Sequence, residues 1–171
     1  KQAKTIVGLN PSLISLPSFY HHYVAPLLNP IVTSSFFTAV LTDLLPHTRM
    51  IDGLIDSTNT KLDADKRARY KTLFKNADHL NGSVSFMAGT DIPSLLEQCN
   101  QIRSSLTFVL TEDDGWIPAQ ALRGVIDQYF NHAKIIEIKG GHMFHEASEM
   151  LALQFIETAL SQEGESHVST S

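Results

Sequence analysis

The stretch from Leu106 to His142, LTFVLTEDDGWIPAQALRGVIDQYFNHAKIIEIKGGH, decides the fold. It opens on an apolar, β-branched run, Leu106 to Thr111, and ends soon after another, Lys134 to Ile138. Both are short and continuous enough to read as buried strands. Between them Pro118 suits the first turn of a helix, and Ala121, Leu122, Val125, Ile126 and Tyr129 recur at three- and four-residue spacing along one face. Strand, helix and strand in so little chain predict a right-handed βαβ unit, and with it a parallel sheet.

Working outward, Thr5 to Leu9 (TIVGL) reads as a third buried strand. Downstream, Gly140-Gly141-His142 precedes a last helix from about Glu149 to Leu160, with Ser148 as its N-cap. Leu151, Phe155 and Ala159 form one stripe of that helix, flanked by Leu153, Ile156 and Leu160, and this broad apolar face requires a sheet to cover. Lys134, Glu137 and Lys139 suit a natural sheet edge. The Ser/Gln/Glu/Gly-rich end, 161–171, has nothing to bury and is expected to be a flexible tail after a domain spanning 1–160.

The segment between the first two strands, about 11–100, is too long for a simple crossover and is punctuated by Pro11, Pro17, Pro26, Pro30 and Pro46. It reads as a helical insertion. Its clearest members run from Asp65 to about Asn76 with Asp63 as cap, from about Asn81 to Ala88 with Gly89 as stop, and from Pro93 to about Gln98. An insertion above the carboxyl ends of parallel strands is placed to act as a lid over a ligand crevice.

Composition narrows the function. At 171 residues, with 43% hydrophobic and 18% charged, the chain can bury a core, which excludes global disorder. A net charge of −5, with no cluster of Lys and Arg among aromatics, gives no footprint for nucleic acid. Apolar stretches are interrupted well short of the roughly 18 residues of a membrane span. The single cysteine, Cys99, forms no intrachain disulfide and no thiolate metal cluster, which fits a reducing, cytoplasmic setting. The chain starts at Lys1 with no signal-peptide pattern and enters an apolar run almost at once, so a fragment of a longer protein is expected.

The chemistry gathers at two strand ends. Thr111-Glu112-Asp113-Asp114-Gly115-Trp116-Ile117-Pro118 follows the second strand and Gly140-Gly141-His142 the third. Loops leaving the carboxyl ends of neighbouring parallel strands can bring an acid and an imidazole together. A carboxylate on one ring nitrogen then fixes the tautomer and leaves the other as general base. Asp before His is the later part of the order nucleophile, acid, base. Asp113 and Asp114 are both candidates for the acid, and either can instead start the turn and cap the following helix. The accompanying His142 favours proton handling. Trp116 and Met143 neighbour the pair as pocket-lining, substrate-binding candidates, with core packing an equal alternative. His142, His145 and Glu146 match no zinc pattern, so no metal is expected; His145 and Glu146 read as supports for the loop or for the last helix. His21 and His22, in the aromatic stretch Phe19 to Tyr23, read as lid surface, and Cys99 as a small, partly buried residue.

These features resemble the carboxyl-terminal part of an α/β-hydrolase, whose pattern G-x-x-D-x-x-V-P followed by G-H is similar to T-E-D-D-G-W-I-P and G-G-H here. On that pattern Asp114 takes the acid position and His142 the base, with Thr111 where the family has Gly. The insertion extends the resemblance. Leu54-Ile55-Asp56-Ser57-Thr58-Asn59-Thr60-Lys61-Leu62-Asp63, Tyr70 to Phe74, and Gly82-Ser83-Val84-Ser85-Phe86-Met87-Ala88 are similar to lid stretches reading about G-T-G-S-x-(L/I)-D, Tyr-Leu, and G-A-L-x-M-M-A. Those stretches belong to the α/β-hydrolase-like magnesium-chelatase accessory proteins of bacteriochlorophyll synthesis.

The resemblance implies a three-layer α/β fold, its last three parallel strands present here with a helical lid. It also implies hydrolysis of a hydrophobic small molecule by a Ser-His-Asp triad without a cofactor. No G-x-S-x-G elbow occurs in the chain, so nucleophile and oxyanion loop are expected upstream of Lys1, and this part alone is expected to be inactive. Three strands without their sheet neighbours predict aggregation or partial folding in isolation. The alternative is a non-catalytic accessory of magnesium chelatase that holds a porphyrin-type ligand; a third reading is a self-sufficient small binding domain.

Overall fold

Three strands form one parallel sheet in the order β1 (Thr5–Leu9), β2 (Ser105–Thr111), β3 (Lys134–Ile138). Val7 lies opposite Thr107, and Val109 opposite both Leu9 and Ile136. The computed structural model describes residues 3–14 and 49–166 of the chain. The central strand of a parallel sheet is covered on both faces, which is why its sequence is apolar without alternation. Every residue of β2 from Leu106 to Thr111 is buried.

The two faces of β2 serve two helical layers. Leu106, Phe108 and Leu110 meet Leu122 and Ile126 of helix α5 (Ala119–Tyr129) and Phe130 just after it, and the Phe108 and Phe130 rings pack edge to face at 5.2 Å. That helix is amphipathic, and its apolar spacing was legible in the sequence. On the other face Val109 meets Phe144 and Ala152, with Leu9, Ile136 and Phe155 packed around them. Phe144 belongs to the short helix α6 (Phe144–Ala147), and Ala152 and Phe155 to α7 (Glu149–Ser166). Helices on both faces of a parallel sheet make this an α/β protein.

The last helix continues past its expected end near Leu160, to Ser166. Gln162 and Glu163 are competent helix formers, which carries the helix past its apolar stripe. Residues 167–171 of the expected tail lie outside the described residues.

The described part of the insertion holds α1 (Met50–Asp56), α2 (Ala64–Phe74), α3 (Ala77–Gly89), α4 (Ile92–Leu96) and a 3-10 turn, Cys99–Gln101. Caps set its boundaries. Asp63 accepts from the Lys66 N–H at 2.8 Å, as expected, and Asp91 from Ser94 at 3.2 Å. Asn76 accepts from His79 at 3.1 Å, which starts α3 earlier than the expected Asn81. Ile51, Ile55, Leu62 and Leu80 form a small core of their own, with Tyr70 and Phe74 against it. Helix α2 has no fully buried residue; Tyr70 and Phe74 attach it to that core, and Asp52 pairs with its Lys71 at 2.7 Å and its Arg67 at 3.4 Å. Residues 15–48 of the expected insertion, with Pro17, Pro26, Pro30, Pro46, His21 and His22, lie outside the described residues. Among the described residues, no helix is long and apolar enough to cross a membrane.

Leu110 is fully buried at the centre of the sheet. Leu110→Ala is expected to cost about 2–5 kcal/mol of unfolding free energy, read by urea denaturation, because the surrounding helix cannot close fully over the cavity.

Candidate functional site

The loop after β2 folds around one carboxylate. Asp114 Oδ1 accepts from the backbone N–H groups of Trp116 and Ile117, both at 2.8 Å, a turn that directs the chain into α5. Its other oxygen, Oδ2, lies 2.8 Å from Nδ1 of His142 in the loop after β3. The Asp114 side chain is only 1% exposed and that of His142 15%. An ionised carboxylate can only accept, so Nδ1 carries the proton and donates, and in the neutral ring Nε2 keeps its lone pair. The geometry separates the two acid candidates: Asp114 meets the imidazole, whereas Asp113 is exposed and its backbone carbonyl accepts from the Asn59 side chain at 3.0 Å.

Trp116 packs on the same ring, with centroids 5.0 Å apart and planes 27° from parallel, and its indole N–H donates to Ser57 Oγ at 2.9 Å. Met143 turns toward the insertion's core beside Ile51, Ile55, Leu62 and Leu80, and its N–H donates to Thr60 Oγ1 at 2.9 Å.

Two features escaped the sequence reading. The first is Asn10, at the end of β1, buried and held at φ 44°, a conformation Asn tolerates better than most residues. Its Oδ1 accepts from the Thr111 N–H at 2.9 Å, and its Nδ2 donates to Thr111 Oγ1 at 2.8 Å and the His142 carbonyl at 2.9 Å. One side chain thus ties the tips of all three strands together. The second is the turn 57–60, where the Thr58 carbonyl accepts from the His142 N–H at 2.9 Å. A Cβ on Gly115 would sit 2.1 Å from the Ser57 carbonyl oxygen, and one on Gly141 would sit 2.3 Å from that of Asn59. Both glycines are therefore required by the close approach of this turn. An Asn following a strand is ordinary loop chemistry and offered no signal, and the Ser-Thr-Asn-Thr run stood out only as part of the lid stretch 54–63, not as a brace of the strand tips.

Around His145 the loop is polar and partly buried. The Tyr70 hydroxyl donates to Glu146 Oε1, and Lys66 Nζ reaches the Glu146 carbonyl and, at 3.0 Å, Glu149. Burial, followed by the Glu146 hydrogen bond and charge, holds the Tyr70 phenol well above its ordinary range. Nδ1 of His145 is buried without a hydrogen-bond partner. Among the described residues no group of three or more His, Cys, Asp or Glu side chains is arranged to hold a metal ion. Burial pushes the Cys99 thiol up, away from a reactive thiolate. A polar hollow of about 460 Å³, lined by Leu96, Arg103, Tyr129 and His132 among others, opens near the amino ends of β2 and β3, away from the Asp114–His142 pair.

Fold and site together define an α/β protein with a carboxylate–imidazole pair at its strand tips, braced by a helical insertion. No family model matches the sequence. The chain is 25% identical over 144 residues to the magnesium-chelatase 30 kDa subunit of Rhodobacter capsulatus, a match covering 84% of this chain and 50% of that protein. The chain thus spans about half the length of that relative.

Asn10→Ala is expected to lower stability by about 1–3 kcal/mol in urea denaturation, because it takes from the buried Thr111 N–H and the His142 carbonyl the partner that Asn10 supplies. A second expectation concerns pH. Burial holds the His145 imidazole below its ordinary value; Glu146 opposes this, and His142 adds to it. The unfolded chain then binds the proton more readily, so this contribution to stability is complete above about pH 6.5 and is lost as pH falls through the folded value. His145→Phe should flatten the fall in melting temperature as pH drops below about 6.5.

Proposed function

We propose that this chain is the carboxyl-terminal part of an α/β-hydrolase-like accessory protein of magnesium chelatase, whose crevice beside Asp114 and His142 takes a porphyrin-type pigment precursor. The similarity to the R. capsulatus magnesium-chelatase 30 kDa subunit, extending over 84% of the chain, carries this reading. The insertion turn 57–60, bonded to both strand-tip loops, is consistent with it, since a flat, largely apolar ligand needs cover from water. In this role Asp114 fixes His142, and Nε2 is available to accept a hydrogen bond or proton from the bound molecule.

One observation favours a second reading, hydrolysis of a hydrophobic small molecule in the whole protein. The 2.8 Å contact between Asp114 and His142 Nδ1 is the arrangement in which an imidazole serves as general base to a nucleophile. There a serine supplied upstream would attack an acyl carbon, His142 Nε2 would take its proton and return it to the leaving group, and Asp114 would stabilise the imidazolium. The roles of Asp114 and His142 are the same in both readings up to the identity of their partner.

The readings separate in the full-length protein. The accessory reading expects protoporphyrin to bind with a Soret shift, binding to weaken about fivefold in His142→Ala through loss of one hydrogen bond without being abolished, and a serine-directed fluorophosphonate to leave the protein unlabelled. Labelling that is lost by a factor of about 10³ or more in His142→Ala, without porphyrin binding, would overturn it in favour of the hydrolase.

A further inference from the structure

The imidazole of His142 is held by more than its carboxylate. A single hydrogen bond from Nδ1 to Asp114 fixes one edge of the ring and its tautomer, but leaves the ring plane free to rock about that bond. The plane is set by the indole of Trp116, stacked 5.0 Å away at 27°. The indole is in turn fixed by its N–H bond to Ser57 Oγ at 2.9 Å. Ser57 presents its lone pairs there because its hydroxyl proton is committed to the Leu54 carbonyl at 2.7 Å, within the last turn of α1. Donation therefore runs one way, from the indole through the serine to the helix carbonyl, and the indole fixed in this manner meets the imidazole by ring stacking. A second link acts on the backbone, where Thr58 accepts from the His142 N–H at 2.9 Å. Close packing of Gly115 and Gly141 against the carbonyls of residues 57–59 leaves this turn no slack.

We propose that Ser57 and Trp116 are positioning residues that set the plane of the His142 ring, so that the Asp114–His142 pair is ready only while the 57–60 turn of the insertion is docked on the strand tips. Trp116, a pocket-lining candidate from its sequence position, has one ring face against the imidazole and its N–H on Ser57. The insertion is thereby part of the machinery that aims the imidazole. This inference concerns how the pair is held, and it goes beyond the question of what the pair acts upon.

The test is side-chain nitrogen NMR of His142 in the full-length protein, following its tautomer and the solvent exchange of its Nδ1 proton. Ser57→Val, which removes the acceptor and has the shape of the rescuing threonine, is expected to speed that exchange about fivefold, the factor carried by one net hydrogen bond. Ser57→Thr should restore it. Trp116→Phe, which keeps an aromatic face and removes the indole N–H, should match Ser57→Val, and the double variant should add nothing to either single one. A merely structural role would alter melting temperature without this pattern of rescue and non-additivity. Exchange within about twofold of the wild type in both single variants, or failure of Ser57→Thr to restore it, overturns the proposal. Should Ser57→Val not fold, Trp116→Phe carries the same test with the same two outcomes.

Discussion

Burying the carboxylate of Asp114 is the constraint from which the rest of the site follows. A charge taken out of water costs several kcal/mol unless its lone pairs are met, and this one is almost wholly enclosed. Two backbone N–H groups meet one oxygen and an imidazole N–H meets the other. The first requirement shapes the 114–117 turn and the start of α5. The second requires the β3 loop to arrive within one hydrogen bond of the β2 loop, and so depends on the parallel pairing of Thr111 with Ile138. Losing either partner would leave a buried charge incompletely satisfied, a costlier outcome than never having buried it.

Two strand-tip loops rich in glycine would not hold such an arrangement by themselves. Asn10 supplies the missing link along the sheet, because β1 ends beside Thr111 and its amide can donate to one loop and accept from another. The turn 57–60 supplies it from above. Its contacts are polar and backbone-directed, which suits a region where α2 contributes no buried side chain and pairs its charges with Asp52 and Asp56 instead. Surface ion pairs of this kind contribute little each, so the hold of the insertion on the sheet rests on its small apolar core, on Met143 within it, and on the Tyr70–Glu146 bond.

What was legible in the sequence was local. The apolar run of β2, the stripe of α5 and the Asp63 cap each follow from a few adjacent residues and from periodicity, and each stands in the structure where that logic places it. The pairing of Asp114 with His142 was legible for a topological reason: neighbouring parallel strands deliver their loops to the same rim. Choosing Asp114 over Asp113 rested on the spacing of the T-E-D-D-G-W-I-P pattern, since residue type does not separate two adjacent aspartates of one turn. Asn10 and Ser57 lay beyond reach because their partners are distant in the chain, Thr111 and Trp116, and nothing in an isolated Asn or Ser marks it as a brace. The early start of α3 at Ala77 shows the reverse case, where Asn76 closes one helical segment and caps the next, two roles one residue type can fill.

A carboxylate–imidazole pair does not by itself select a chemistry. Fixing Nδ1 on Asp114 makes Nε2 a directed base or acceptor, and an alkoxide-forming serine and a polar edge of a bound pigment precursor place the same demand on it. The difference lies in what faces Nε2. In a hydrolase that is a nucleophile on a strained elbow together with oxyanion donors, and the sequence contains no G-x-S-x-G motif of that kind. The insertion therefore distinguishes this chain from a bare pair of catalytic loops. It covers the strand tips, its turn is in direct contact with both loops, and its Ser57 is bonded to the indole that lies against the imidazole. A ligand that engages the insertion will be felt at His142 through those contacts, whether or not a bond is broken there.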